Sequence, residues 1–313
     1  MIKSSICEQI GIEYPIFQGG MARISDGALA AAVSEAGGLG IVSAASGDVN
    51  QVSEQLDIAK KLTNKPFGVN VMLRGENIDA LAKLIAEKKP AVVTTGAGNP
   101  EKYMDMWKAA GIKVIPVAAS ASFAKIFERA GADAVVAEGC ESGGHVGELT
   151  TMALVPQVCD AVSIPVIAAG GIADGRGAAA AFMLGAEGIQ VGTRFLVATE
   201  CSINQNYKDK VLKASDTSTI VTGKRLGHPV RSLKSPFSRE YAKIEYTSIS
   251  NDELEQFAVG SLAAAVNGDD KHGCFLAGQI SGLINKEQTS AEIIKEIMEQ
   301  AEELLKGGAK WVR

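Results

Sequence analysis

The loop that contains His145, in the sequence EGCESGGHVG, carries residue types that could do proton chemistry. Histidine is the side chain that exchanges protons most readily near neutral pH. Gly144 and Gly147 flank it and leave it free to project into a pocket, whereas a core histidine would have apolar neighbours. We therefore predict that His145 is catalytic. His228 and His272 lie in a more polar part of the chain and are predicted to be structural or solvent-exposed.

Two further side chains of this loop are candidates for chemistry. Cys140 could act as a nucleophile, although nothing around it in the sequence indicates a lowered thiol pKa. Glu138 could be a charge partner for a cofactor, or simply the residue that ends a strand. The residues alone leave both alternatives open.

Two glycine turns in residues 165–195 could bind phosphate. One apolar run ends in Gly170 and Gly171, and the next ends in Gly192 and Thr193. Because glycine has no Cβ, the backbone N–H groups of these turns can approach a ligand closely. If both turns lie on one rim, they form with the start of a following short helix a cup for a dianionic phosphate. We call these four residues the phosphate cup; the alternative is tight packing of helix on strand, which needs no ligand.

The elements that must position these loops form a regular series. Short apolar runs recur about every 20 to 30 residues with helical patterns between them, as in a repeated strand–helix unit. The runs cover residues 14–18, 39–42, 67–71, 91–94, 114–117, 134–137, 165–168 and 188–191. Eight such units predict an α/β fold, a (β/α)8 TIM barrel, in which the loops after strands seven and eight commonly hold phosphate.

A doubly wound open sheet would show the same alternation. Its ligand would sit at one switch point and would need only one or two strand ends. In this chain small or polar residues follow most of the runs, so ligand contacts are spread around a ring. This distribution favours the closed barrel.

Several helix starts are marked by capping residues. Asp174 and either Ser25 or Asp26 are predicted N-caps, and Asn99 is a predicted N-cap with Pro100 at the first helical position. After residue 198 the alternation stops. Residues 199–285 are predicted to form a lid or substrate-binding subdomain with one clear helix over residues 251–265, while residues 1–198 and 286–313 form the barrel. Thr289 or Ser290 opens a final amphipathic helix that ends near Lys306.

Composition excludes several classes of protein. The formal charge is −5 without a long basic run, which disfavours nucleic-acid binding. No apolar segment is long enough to span a bilayer and the first residues are not a signal peptide, so we expect a cytoplasmic protein. The 5 cysteines have no C-x-x-C spacing, which argues for reduced thiols and against a zinc site.

The motifs YPIFQGGMA, KPFGVNVML, VVTTGAGNPEKYM, SGGHVGELTTM and AGQISGLINKEQT together resemble those of one enzyme family. The chain resembles the flavin-dependent enoyl-acyl-carrier-protein reductases of the nitronate monooxygenase-like superfamily of FMN barrels. The monooxygenases more usually carry a basic residue after the histidine. Here Val146 follows it, which favours the reductase branch.

The resemblance implies a set of FMN contacts. It places the flavin against Gly20, Met21, Ala22, Asn70, Thr95, Gly96 and Glu138, and the phosphate at Ser142, Gly143 and the phosphate cup. It places Gln279 near the flavin and matches His145 to the active-site histidine of the family. The assignments of Glu138 and Gln279 rest on the resemblance alone.

The resemblance also implies an activity and partners. Hydride would pass from NADH or NADPH through bound FMN to a trans-2-enoyl thioester on acyl-carrier protein, and His145 would donate a hydrogen bond or proton to the developing enolate. Lys224, Arg225 and Arg231 are candidates for meeting the acidic carrier. We expect a homodimer. The choice between NADH and NADPH and the need for a monovalent cation stay open.

Two alternatives remain at this point. One is a nitronate monooxygenase, in which His145 would take a proton from a nitroalkane. The other is a flavin-binding protein without catalytic activity.

Overall fold

Eight parallel strands form one curled sheet in the computed structural model, which describes residues 2–75 and 77–311. They are β1 (Ile16–Gln18), β2 (Gly40–Ser43), β3 (Phe67–Met72), β4 (Val92–Gly96), β5 (Lys113–Ala118), β6 (Val135–Glu138), β8 (Val166–Ala169) and β9 (Gly188–Val191). Their order is β1-β9-β8-β6-β5-β4-β3-β2. The backbone N–H of Gln18 donates to the carbonyl of Leu39 at 2.9 Å, which brings the two edges together. The predicted TIM barrel is confirmed.

Helices connect the strands and cover the outside of the barrel. They are α1 (Ser5–Ile10), α2 (Gly27–Glu35), α3 (Val49–Leu62), α4 (Ile78–Lys88), α5 (Glu101–Ala109), α6 (Ala121–Arg129), α7 (Thr151–Cys159), α8 (Gly175–Met183) and α13 (Ser290–Lys306). Short 3₁₀ helices span Thr193–Val197, Gln279–Leu283 and Gly307–Trp311. None of the helices in the described ranges combines the length and hydrophobicity needed to cross a membrane.

Capping residues start these helices as the sequence predicts. Asp26 and Asp174 accept backbone N–H groups at the starts of α2 and α8. Thr289 and Glu292 form a reciprocal capping box at the start of α13. The prediction for α5 is off by one residue, because the helix begins at Glu101 after Pro100. The side chain of Asn99 still accepts the N–H of Glu101, at 3.1 Å.

The inside of the barrel is apolar at one end and polar at the other. Phe17, Val92, Val136 and Ile167 form one buried cluster with Ile6 of α1, so that α1 closes the end where the strands begin. Because side chains alternate between the two faces of a strand, the next positions that point into the barrel lie closer to the C-terminal strand ends, and several of them hold polar residues. These are Asn70, Thr94, Glu138 and Gln190. The polar end of the barrel is therefore the end at which a ligand can bind.

Residues 199–285 form one helix that joins the barrel core, two strands of a small sheet and three further helices. α9 (Gln205–Leu212) packs into the barrel core through the fully buried Tyr207 and Val211. β7 (Gly144–His145), β10 (Thr219–Thr222) and β11 (Val230–Leu233) form a small antiparallel sheet. α10 (Pro236–Ile244), α11 (Asn251–Ala258) and α12 (Ser261–Val266) follow. The predicted single helix over residues 251–265 is wrong, since the left-handed Gly260, with φ of +78°, separates α11 from α12.

Candidate active site

A cleft of about 510 Å³ lies at the C-terminal ends of the barrel strands. Its walls contain most of the predicted site residues: Gly20, Met21, Ala22, Asn70, Gly96, Glu138, Ser142, Gly143, His145, Gly170, Gly171, Gly192 and Thr193. We call it the central cleft. The eight strand ends thus bring together loops that are far apart in the sequence.

Two predicted residues do not line the central cleft. Thr95 is buried on the other face of β4, because the inward positions of this strand are Thr94 and Gly96. The side chain of Gln279 is exposed, and its backbone N–H donates to the carbonyl of Glu141 at 2.9 Å. Both predictions followed motifs and took no account of the direction of the side chain.

Two glycines of the phosphate cup have a left-handed backbone conformation. Gly170 and Gly171 have φ values of +88° and +71°, which L side chains rarely adopt. The backbone N–H of Gly171 makes no hydrogen bond with any described residue. The Oγ1 of Thr193 accepts a hydrogen bond from the N–H of Gly278 at 2.9 Å, which leaves its own proton to donate. The cup therefore offers donors to an anion.

Glu141 connects the loops that surround the phosphate cup. Its carboxylate accepts the backbone N–H and the hydroxyl of Thr151 at 3.0 Å. The Thr151 hydroxyl also lies 3.0 Å from the carbonyl of Gly170. This side chain was not predicted as a site residue. Its loop position gives no sign that it would turn toward the start of α7.

The first loop approaches the barrel axis closely. A Cβ added to Gly20 would lie 2.3 Å from the Cβ of Asn70, so only glycine fits there. The Oγ of Ser25 accepts the N–H of Met21 at 2.8 Å and fixes this turn. The Asn70 Oδ1 in turn accepts the hydroxyl of Thr94 at 2.9 Å. The wall made by Gly20 and Asn70 is thus closely packed and hydrogen-bonded within the chain.

Two ionisable groups of the central cleft have shifted pKa values. Burial raises the pKa of Glu138 to about 7, and the nearby Ser142 hydroxyl opposes the rise. The side chain of His145 is exposed at the mouth of the cleft, and desolvation by the surrounding walls lowers its pKa, with smaller contributions from His228 and Arg74. His145 is therefore mainly neutral at pH 7 and can both donate and accept a hydrogen bond.

Cys140 does not have the properties of a nucleophile. It is half-buried and does not line the central cleft. Burial, followed by the charge of Glu141, raises the pKa of its thiol, which disfavours the thiolate. The structure thus argues for the reading of Cys140 as an unreactive thiol. All 5 cysteines of the chain are free.

Two of the three predicted carrier-binding cations have structural partners. Arg231 is buried, and its guanidinium donates to the carbonyl of Cys140 at 3.0 Å and to the hydroxyl of Thr219 at 3.0 Å. Arg225 donates to the carbonyls of Glu245 and Ile249. The guanidinium of Arg231 is therefore occupied by bonds within the chain. Lys224 is exposed.

The model of the family described as nitronate monooxygenase matches residues 3–84 and 74–300 of this chain. The chain belongs to the nitronate monooxygenase family. This confirms the superfamily resemblance. The chain is accordingly an enzyme of a flavin oxidoreductase superfamily.

A curated relative matches about four fifths of the chain, and two solved structures match nearly all of it. A probable nitronate monooxygenase of Staphylococcus aureus strain Newman is 34% identical over 289 residues, covering 78% of this chain and 81% of the relative. The structure of FabK from Thermotoga maritima has a TM-score of 0.97 and 47% identity, with 100% of both chains covered. A nitroalkane oxidase from Streptomyces ansochromogenes has a TM-score of 0.87 and 28% identity, covering 97% of this chain and 100% of the other.

The central cleft fits the FMN that the nitronate monooxygenase family and FabK imply. The buried hydroxyl of Ser142 lies near Glu138 but makes no hydrogen bond of normal geometry to it, and the Gly171 N–H is unpaired within the described residues. Both groups can donate to a phosphate. Gly143 packs so closely that an added Cβ would lie 2.7 Å from the Cα of Ala277, which holds the loop beside the cup. The contacts of individual residues with FMN stay predictions.

Proposed function

We propose that this chain is an FMN-dependent enoyl-acyl-carrier-protein reductase that uses NADH or NADPH. The observation that carries the proposal is the 47% identity to FabK, an enoyl-ACP reductase II, over the full length of both chains. Val146 after the histidine supports the same branch, as the sequence motifs do. His145 in the wall of the central cleft supplies the side chain that the reaction needs.

The roles of the residues follow from the charge that develops in the reaction. FMN, when bound, supplies the hydride transfer to the β-carbon of the enoyl thioester. Negative charge then develops on the thioester oxygen as an enolate forms. The imidazole N–H of His145 donates a hydrogen bond to this oxygen or a proton to the α-carbon, which lowers the barrier. The phosphate cup and Ser142 hold the cofactor, and the closely packed Gly20 lets it approach the backbone.

The acyl-carrier protein would meet the mouth of the cleft. Lys224 lies on the exposed loop between β10 and β11, close in sequence to His228 of the cleft wall. It is the one of the three predicted cations whose side chain is exposed and makes no hydrogen bond or ion pair with any described residue. Its positive charge suits an acidic carrier, chiefly through the rate of association.

Nitronate monooxygenase activity is the second candidate. The 34% identity to the probable nitronate monooxygenase and the 28% identity to the nitroalkane oxidase favour it. The lowered pKa of His145 also suits a base that takes a proton from a nitroalkane.

One assay separates the two activities. The purified protein with FMN is given NADH and crotonyl-acyl-carrier protein, and absorbance at the NADH band is followed under nitrogen. A parallel cell contains an alkyl nitronate in air with an oxygen electrode. NADH loss that needs the thioester supports the reductase. Oxygen uptake that needs the nitronate, without thioester-dependent NADH loss, refutes it; reaction in neither cell leaves the third candidate, a flavin-binding protein without catalytic activity.

A further inference from the structure

Two basic side chains lie near His145 in the wall of the central cleft. Arg74 follows β3, and His228 lies in the loop before β11. The backbone N–H of Val146 donates to the carbonyl of Pro229 at 3.0 Å, so the antiparallel pairing brings the His228 loop alongside His145. These two residues were not among the predicted site residues.

Arg74 and His228 have no side-chain partners in the described part of the chain. Neither the Arg74 guanidinium nor the His228 imidazole makes a hydrogen bond or ion pair with any described residue. By contrast, Arg194 and Arg231 are both bonded to other parts of the chain. Arg74 and His228 therefore have all their donors available to a ligand.

The position of this pair in the barrel is opposite to the phosphate cup. In the ring of eight strands, β3 lies four places from β8, which carries Gly170 and Gly171. A phosphate at the cup and an anion at Arg74 would thus occupy different sides of the central cleft. Arg74 and His228 are close enough to His145 that their charges help to lower its pKa.

Neither acidic residue of the central cleft bonds to Arg74 or His228. The carboxylate of Glu141 is held by Thr151 at 3.0 Å. Burial raises the pKa of Glu138 to about 7, so it is only partly ionised at neutral pH. The rim at Arg74 and His228 thus has basic side chains and no bonded carboxylate among the described residues.

We propose that Arg74 and His228 bind a phosphate group that a substrate carries into the central cleft. A guanidinium binds phosphate through two parallel N–H donors, and an imidazole N–H adds a third. This inference rests on the proposed function, whose two substrates both contain such a group. One source is the diphosphate of the nicotinamide dinucleotide, and the other is the phosphate of the phosphopantetheine arm that holds the acyl group.

The test uses substrates with and without phosphate in each half of the reaction. Reduction of the FMN-loaded protein is measured with NADH and with 1-benzyl-1,4-dihydronicotinamide, which has no phosphate. Reoxidation is measured with crotonyl-phosphopantetheine and with crotonyl-N-acetylcysteamine, which has none. The variants are Arg74→Ala, His228→Ala and the pair together, and Arg129→Ala on α6 is the matched control, since Arg129 is exposed outside the cleft.

A selective loss is the expected result. Arg74→Ala should lower the second-order rate constant about 10- to 100-fold for a phosphate-bearing substrate, and leave its phosphate-free counterpart within about twofold. A lower rate constant with NADH alone identifies the diphosphate of the dinucleotide as the bound group. A lower rate constant with crotonyl-phosphopantetheine alone identifies the pantetheine phosphate, and a lower rate constant with both identifies one shared site.

Two results overturn the inference. One is an equal loss for the phosphate-bearing and phosphate-free substrates, and the other is no loss beyond that of the Arg129→Ala control. A wild-type protein that reacts with NADH but with no thioester refutes the proposed function, while the NADH comparison still decides the role of Arg74 and His228. A wild-type protein that reacts with none of the four substrates overturns both.

Discussion

His145 lies directly opposite Val230 in the antiparallel pairing of β7 with β11. The histidine belongs to the loop after a barrel strand, whereas Val230 belongs to the segment that follows the barrel. The position of His145 over the cleft is therefore held by two parts of the chain that are 85 residues apart. Movement of the β10–β11 sheet would carry the histidine with it.

Replacement of His145 should affect one half of the reaction. His145→Ala should slow reoxidation of the reduced protein by crotonyl thioester by about two to four orders of magnitude, because the enolate loses its donor. Reduction by NADH needs no such donor and should change much less. Anaerobic stopped-flow absorbance measures the two halves separately, and His145→Gln, which keeps an N–H donor, should recover part of the rate. Equal slowing of both halves would instead assign His145 to positioning the loop or the flavin.

Gly192 should be needed for the cofactor and not for the fold. A Cβ added there would meet nothing closer than the Met21 side chain at 3.8 Å, so the chain itself tolerates Gly192→Ala. The same Cβ would point into the phosphate cup and should weaken FMN binding at least about tenfold. Fluorescence titration with FMN and the melting temperature without FMN measure the two effects. Gly307→Ala is the control, because an added Cβ there has no atom within 4 Å. Unchanged FMN affinity in Gly192→Ala would contradict the assignment of the phosphate cup.

The half-buried carboxyl of Glu138 should make stability depend on pH. Its pKa is raised from 4.5 to about 7, so between these values the folded chain keeps a proton that the unfolded chain loses. Stability is then lost as pH rises through this window, by up to about 3 kcal/mol above pH 7.

Glu138→Gln should remove this dependence in the FMN-free protein. The variant should be more stable than the wild type at pH 8 and nearly equal to it at pH 5, as measured by urea unfolding at the two pH values. Glu54→Gln, at an exposed position on α3, controls for the loss of a charge. The same difference between variant and wild type at both pH values would show that Glu138 is not the group responsible.

The rate of hydrogen exchange should differ between two parts of residues 199–285, the segment predicted as a lid. α10 and α11 share a small cluster with Phe237, Tyr241, Leu254 and Cys274 as its buried members, and should exchange faster than the barrel strands. α9 should be protected like the barrel, because Tyr207 is fully buried in the barrel core. Mass spectrometry of peptides from the ligand-free protein tests this, and uniform protection from residue 199 to 285 would contradict it.

The barrel could be predicted from the sequence because its signals are local. Each strand is an apolar run followed by glycine or a polar residue, and caps such as Asp174 mark the helix starts. The family resemblance placed Thr95 against the flavin, although the alternation of β4 turns Thr94 inward. The pKa of Glu138 could not be predicted, since it depends on burial by strands that are distant in the sequence.

The residues at the mouth of the central cleft were harder to predict, because their positions depend on strand pairing and on the course of loops. His228 enters the cleft wall through the pairing of β11 with β7, which joins segments with no shared pattern. Arg74 lies beyond the end of β3, where its position depends on the course of a loop. The burial of Arg231 could not be predicted either, because a single basic residue carries no sign of its partners Cys140 and Thr219.

If the proposed function is correct, reduced FMN on this protein passes its electrons to an enoyl thioester. The direct measurement is to reduce the FMN-loaded protein with one equivalent of NADH under nitrogen, mix it with crotonyl-acyl-carrier protein, and follow the flavin absorbance band. We expect the band to return within the time of a turnover and butyryl-acyl-carrier protein to form in equal amount. A band that stays bleached with the thioester, and returns only when air or a nitronate with air is admitted, would contradict it.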